Sequence, residues 1–149
     1  MSRYNQISND EIMKIYTDGA SRNNPGKSSC AFLICNEDDE VVYDKSNFLG
    51  ETTNNRAEYK AIINSLDKAI SFSRGAVEVY SDSQLVVNQC KKVYRVKDPN
   101  LKKLYRQVIS KINDFKKVKF FHLPREHKMI KKADQLCNEC LDEHLGLND

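Results

Sequence analysis

The apolar run Ile12-Met13-Lys14-Ile15-Tyr16-Thr17 is short and rich in strand formers, and Asp18-Gly19 closes it. Asn23-Asn24-Pro25-Gly26 follows as turn chemistry: Asn and Gly tolerate positive φ, and Pro presets its own φ. Residues 28–35 form a second strand by pattern. Residues 41–49 form a third, after the acidic turn Glu37-Asp38-Asp39-Glu40. Three successive strands with short turns predict an antiparallel meander.

The period then changes. Thr53-Asn54 offers a helix N-cap, and Glu58, Ala61/Ile62, Ser65/Leu66 and Ala69/Ile70 recur at helical spacing until Gly75. Val77-Glu78-Val79-Tyr80 is a fourth strand, and Asp82-Ser83 opens a second helix. Pro99 starts a third helix that runs to about Phe115. Residues 118–123 make a fifth strand ended by Pro124, and a last helix covers 131–144. The order β-β-β-α-β-α-α-β-α predicts an α/β domain: a five-stranded mixed sheet, three antiparallel strands and then parallel ones, flanked by helices. The whole chain, 1–149, is expected to be one domain, since this length carries one core and not two.

Against this pattern four carboxylates are out of place. Asp18 closes one apolar strand and Asp82 another. Glu58 shares a helix face with Ile62, Leu66 and Ala69. Asp134 shares a stripe with Ile130, Cys137 and Leu141. Each has a bland explanation. Asp82 could cap its helix, Asp18 could set a turn, and Glu58 and Asp134 could pair with Lys60 and Lys131. Those explanations do not account for the set. If strands one and four are neighbours, Asp18 and Asp82 reach the same sheet end, where α/β proteins build sites. Converging carboxylates without a nearby cation make a hard oxygen pocket suited to Mg²⁺ or Mn²⁺. Two such ions ~3.5–4 Å apart activate water and stabilise the leaving oxygen of a phosphodiester.

Charge sharpens the picture. The net +3 divides into −4 over residues 1–84, +12 over 85–132 and −5 over 133–149. The middle block is either a solvated face or a surface for a polyanion. No apolar run reaches the ~18 residues that span a bilayer, so no membrane partner is expected. The polar start, Met1 to Glu11, has no signal core, which predicts a cytoplasmic protein. Five cysteines, an odd number, argue against a disulfide framework. Cys137-x-x-Cys140 has no second pair to complete a zinc site and reads as structural thiols.

The motifs together resemble ribonuclease H type 1. They are Tyr16-Thr17-Asp18-Gly19-Ala20 with Asn24-Pro25-Gly26, then Thr52-Thr53-Asn54-Asn55-Arg56-Ala57-Glu58, then Tyr80-Ser81-Asp82-Ser83-Gln84, then Ala133-Asp134. The resemblance covers nearly the whole chain and implies the ribonuclease H-like fold. It implies endonucleolytic cleavage of the RNA strand of an RNA–DNA hybrid, leaving 5′-phosphate and 3′-hydroxyl ends. It implies two Mg²⁺ ions, replaceable by Mn²⁺, held by Asp18, Glu58, Asp82 and Asp134. It further implies that Asn24, Asn54, Asn55 and Gln84 read the hybrid's minor groove, and that Thr53 grips a DNA-strand phosphate.

Two features depart from the well-studied bacterial pattern. There is no Trp and no long basic protrusion, so binding is expected to lean on Lys91, Lys92, Arg95 and Lys97. The loop before Asp134 holds Arg125, Glu126 and His127. The family places an assisting His or Arg there; both positions stay open, with His127 favoured. The polar start and a last helix that ends near the C-terminus favour a complete stand-alone enzyme, and a monomer is expected.

Overall fold

In a computed structural model that describes residues 7–146, the chain forms one five-stranded sheet in the order β3-β2-β1-β4-β5. The strands are β1 (Met13–Arg22), β2 (Gly26–Cys35), β3 (Val41–Thr52), β4 (Ala76–Ser81) and β5 (Lys117–His122). The helices are α1 (Asn54–Ala69), α2 (Gln84–Cys90), α3 (Pro99–Ile112) and α4 (Lys128–His144). β1–β2 and β2–β3 pair antiparallel, whereas β1–β4 and β4–β5 pair parallel, as the element order predicts. The first six residues of the polar start lie outside the described residues.

One expectation is corrected here. Asp18 does not end its strand: β1 continues to Arg22 because β2 keeps pairing with it, through Asp18 opposite Ala31 to Arg22 opposite Lys27. What ends near Asp18 is the other ladder. The parallel pairing of β1 with β4 stops at Tyr16 opposite Tyr80, so Asp18 and Asp82 each lie two residues beyond it, in register. β3 likewise runs past Leu49 to Thr52, because Gly26 pairs with Thr52. α3 stops at Ile112 rather than Phe115. α4 starts at Lys128 rather than Lys131, because the His127 side chain caps it.

Alternate residues of the sheet face two apolar layers. On one side Met13, Ile15, Val77, Val79 and Phe120 pack with Ile62 and Leu66 of α1 and Val86 of α2. On the other, Tyr16, Leu33 and Cys35 pack with Met129 and Ile130 of α4. Burying a side chain such as Ile62 or Leu66 contributes about 1.5–3 kcal/mol, which is what keeps the amphipathic helices on the sheet. α1 approaches β1 so closely that a Cβ on Gly19 would stand 2.5 Å from the Ala57 carbonyl carbon and the Glu58 nitrogen. Only glycine fits there. All five cysteines are buried and free, in line with structural thiols.

Candidate active site

Glu58, in the first turns of α1, is carried to the strand by that close approach. The Gly19 backbone N–H donates to Glu58 Oε1, and Ser81 Oγ of β4 donates to Oε2 at 3.4 Å. Asp82 follows β4 immediately and is not spent on capping. Ser83 is the N-cap of α2, accepting from the Val86 N–H at 3.2 Å. Carboxylate oxygens of Asp18, Glu58 and Asp82 all lie within 4.8 Å of one another. Asp134, in the second turn of α4, faces the same cleft, a cavity of about 420 Å³. Asn54, Asn55, Ser83, Arg22, Arg125 and Asn138 line it as well.

The electrostatics are strained. Asp18 is 4% exposed and Glu58 6%, and no cation forms an ion pair with any of the four acids among the described residues. The alternative pairings of Glu58 with Lys60 and of Asp134 with Lys131 are therefore absent among those residues. Burial, then repulsion from Asp82 and Asp134, pushes the Asp18 carboxyl from 3.8 up to about 9. Burial, then Asp18 and Asp82, holds Glu58 well above the usual carboxylate range, against the lowering pull of the Gly19 N–H. Acids this hard to ionise lack a cation paired with them among the described residues, although Arg22 and Arg125 line the cleft. Its donors are all carboxylate oxygens, so the residues fit one or two hard divalent cations.

The polar candidates divide by position. Asn54 and Asn55 line the cleft. Asn24 sits in the β1–β2 turn, where its Oδ1 accepts from the Asn54 N–H at 3.0 Å, so it places the first turn of α1. Thr53 Oγ1 caps α1 by accepting from the Arg56 N–H at 3.3 Å. Gln84 stands exposed at the start of α2, two residues beyond Asp82.

The two open helper positions differ in placement. His127 Nδ1 accepts from the Met129 N–H at 3.1 Å, and its ring stacks on Tyr16 with centroids 5.8 Å apart. Arg125, not His127, lines the acidic cleft. Sequence reasoning missed Arg22 and Asn138. The one available signal was Asn138's spacing, four residues after Asp134 and so on its face of the helix.

A mixed sheet with acids gathered at the ends of adjacent parallel strands, completed from a helix on either face, defines the ribonuclease H-like class of proteins. Comparison with known proteins narrows this. The reverse transcriptase-like family profile matches residues 16–140. LC11-RNase H1, solved in complex with an RNA/DNA hybrid, superimposes with a TM-score of 0.85 at 37% identity, over 89% of this chain and 99% of that one. RNase H1 of the archaeon Halobacterium salinarum gives 0.83 at 32% identity, over 89% and 98%. The chain belongs to the type 1 ribonuclease H family. Among curated sequences it is 34% identical to ribonuclease HI of Halobacterium salinarum over 128 residues, 86% of this chain. It is 35% identical to the bifunctional protein Rv2228c of Mycobacterium tuberculosis over 129 residues. It spans 63% of the first of these relatives and 35% of the second.

Proposed function

We propose that this chain is an endoribonuclease that hydrolyses the RNA strand of RNA–DNA hybrids with two divalent cations, Mg²⁺ or Mn²⁺. The observation that carries the proposal is the gathering of Asp18, Glu58 and Asp82 within 4.8 Å, with Asp134 facing the same cleft and no paired cation among the described residues. These four side chains would hold the metals, which when bound supply a water of lowered pKa and charge stabilisation at the leaving oxygen.

The other residues position the nucleic acid. The amides of Asn54 and Asn55 both donate and accept, which suits a ribose 2′-hydroxyl, the group that separates RNA from DNA. Asn24 keeps them in place through Asn54, and Gln84 extends the contact surface from α2. Thr53, at the α1 N-terminus, holds a DNA-strand phosphate, where the helix dipole favours an anion. Arg125, at the cleft, takes the assisting role by holding the scissile phosphate. In the hydrolysis the phosphorus–O3′ bond breaks, water's oxygen joins phosphorus and its proton ends on O3′, leaving 5′-phosphate and 3′-hydroxyl ends.

Lys91, Lys92, Arg95 and Lys97 hold the backbone that the acidic cleft would repel. One chain supplies all four carboxylates, which supports a single-domain enzyme, 1–149, acting as a monomer. Five free thiols support a reducing, cytoplasmic compartment. No helix among the described residues is long and apolar enough to cross a membrane.

The test is cleavage of end-labelled duplexes of one sequence. We expect cutting of the RNA in the hybrid with Mg²⁺ and none in EDTA. Equal cutting of double-stranded DNA overturns the substrate assignment, and undiminished cutting by Glu58→Gln overturns the metal assignment.

A further inference from the structure

We infer that Arg22 is a positioning residue for the acidic site, acting on Asp134 through α4. Arg22 is the last residue of β1, the strand that carries Asp18. Its Nη2 lies 2.7 Å from Asp142 Oδ1 and donates to the Asn138 carbonyl at 3.3 Å, with the Asn138 Oδ1 at 3.4 Å. Asn138 Nδ2 in turn donates to the Asp134 carbonyl at 3.1 Å. Asp134, Asn138 and Asp142 are spaced by four, so they form one face of α4. One guanidinium thus grips the two turns that follow the metal-facing acid, and the chain of bonds reaches that acid's own backbone.

The other three carboxylates do not need such a tie. Asp18, Glu58 and Asp82 lie on or beside β1, α1 and β4, which are joined by a strand ladder and by the larger apolar layer. α4 covers the opposite face over the smaller layer. Its fully buried helix residues, Met129 and Ile130, precede Asp134, while Leu136 packs against it and Cys137, Cys140 and Leu141 are buried farther along the helix. Beyond Asp134 polar bonds add to this packing and tie the helix to β1: Arg22 Nη2 on Asn138 and Asp142, and the buried Cys137 thiol donating to the Asp18 carbonyl at 3.4 Å. The Arg22–Asn138 chain ends on the backbone of Asp134 itself. The Arg22 and Asp142 side chains are 33% and 42% exposed, so their pair adds little to folding. A planar guanidinium on two partners fixes direction all the same. The role of Arg22 is therefore placement of an acid rather than stability of the fold.

The inference rests on the metal-binding reading above, and the test separates the two. Mn²⁺ is titrated calorimetrically into the full chain without nucleic acid, and the thermal midpoint is recorded in EDTA. Arg22→Ala and Asp142→Asn should each weaken Mn²⁺ binding about 10-fold, with the EDTA midpoint moving by less than about 3 °C. Arg22→Lys should recover part of the affinity, because an ammonium keeps the charge beside Asp142 but not the planar geometry that sets Nη2 on both partners. In an Asp134→Asn background, Arg22→Ala should cost nothing more, because its effect runs through Asp134.

Unchanged Mn²⁺ affinity in Arg22→Ala, or a full further loss on top of Asp134→Asn, overturns the inference while the wild type still binds. A wild type that binds no Mn²⁺ overturns the functional reading and this inference with it. If Arg22→Ala fails to fold, the milder Asp142→Asn carries the same comparison.

Discussion

Replacing Asp18 by Asn should make the metal-free protein more stable, and increasingly so as pH rises. Asp18 ionises near 3.8 as a free side chain, but in the folded protein burial and the neighbouring acids push it up to about 9. Below about pH 4 both states carry the proton and folding is indifferent to it. Between these values the unfolded chain releases the proton while the folded chain keeps it, so stability falls with pH by up to ~1.36 kcal/mol per unit. From pH 5 to pH 8 that limit is about 4 kcal/mol for one isolated group. Proton sharing with Glu58 and water in the open cleft reduce it to about 1–3 kcal/mol. The same scale follows from charge: with oxygens within 4.8 Å of one another, each ionised pair repels by about 3.5 kcal/mol at an effective dielectric of 20.

Asn keeps the shape and removes the charge. For a chain of this size each kcal/mol moves the midpoint by about 2–4 °C, so Asp18→Asn should melt about 2–10 °C above wild type in EDTA at pH 8. The gap should narrow at pH 5. Calorimetric scans of both proteins at pH 5, 6.5 and 8 measure this directly. Saturating Mg²⁺ should raise the wild type and leave the variant nearly unmoved. A variant that melts at or below wild type at pH 8 in EDTA would refute the argument that these acids repel one another.

Other outcomes follow from the same geometry. Asp82→Asn should lower the cleavage rate at least about 100-fold, with hybrid affinity by fluorescence anisotropy changed less than threefold; retained cleavage counts against its metal role. Gly19→Ala should destabilise by at least about 2 kcal/mol, because its Cβ meets α1 backbone that cannot yield without displacing Glu58. A normal urea midpoint would show that α1 sits farther from β1. Arg125→Ala should lower the turnover of hybrid while His127→Ala lowers mainly the melting temperature; the reverse pattern would restore His127 to the site. Neutralising Lys91, Lys92, Arg95 and Lys97 together should cut the slope of log affinity against log salt by about 2–4. An unchanged slope would make that block a solvated face.

Much of this protein is legible in one dimension. The strand and helix order, the change of period near Thr53 and the presence of acids on apolar faces are local or periodic facts, and the five strands and four helices occur in the order the pattern gives, with several ends displaced. The four motifs were enough to reveal the family, because three of them pair an acid with a nearby turn or cap and the fourth sets an acid on an apolar helix stripe. The pattern falls short where a residue's role depends on its partners in space. β1 passes through Asp18 because β2 pairs with it 13 residues away. Asp82 is free for chemistry because Ser83 takes the cap. Arg125 and His127 are two residues apart and equally plausible in sequence, yet one lines the cleft and the other caps a helix while stacking on Tyr16.

The sequence by itself determined which groups are available and on which elements they ride. Hydrophobic period and turn chemistry act over a few residues and are written locally. Only the tertiary structure decided which acids meet, which cation pins α4 and how far the carboxyls are driven from their ordinary ionisation. Those depend on distances between residues far apart in the chain, and on burial, which belongs to the packed molecule rather than to any segment of it.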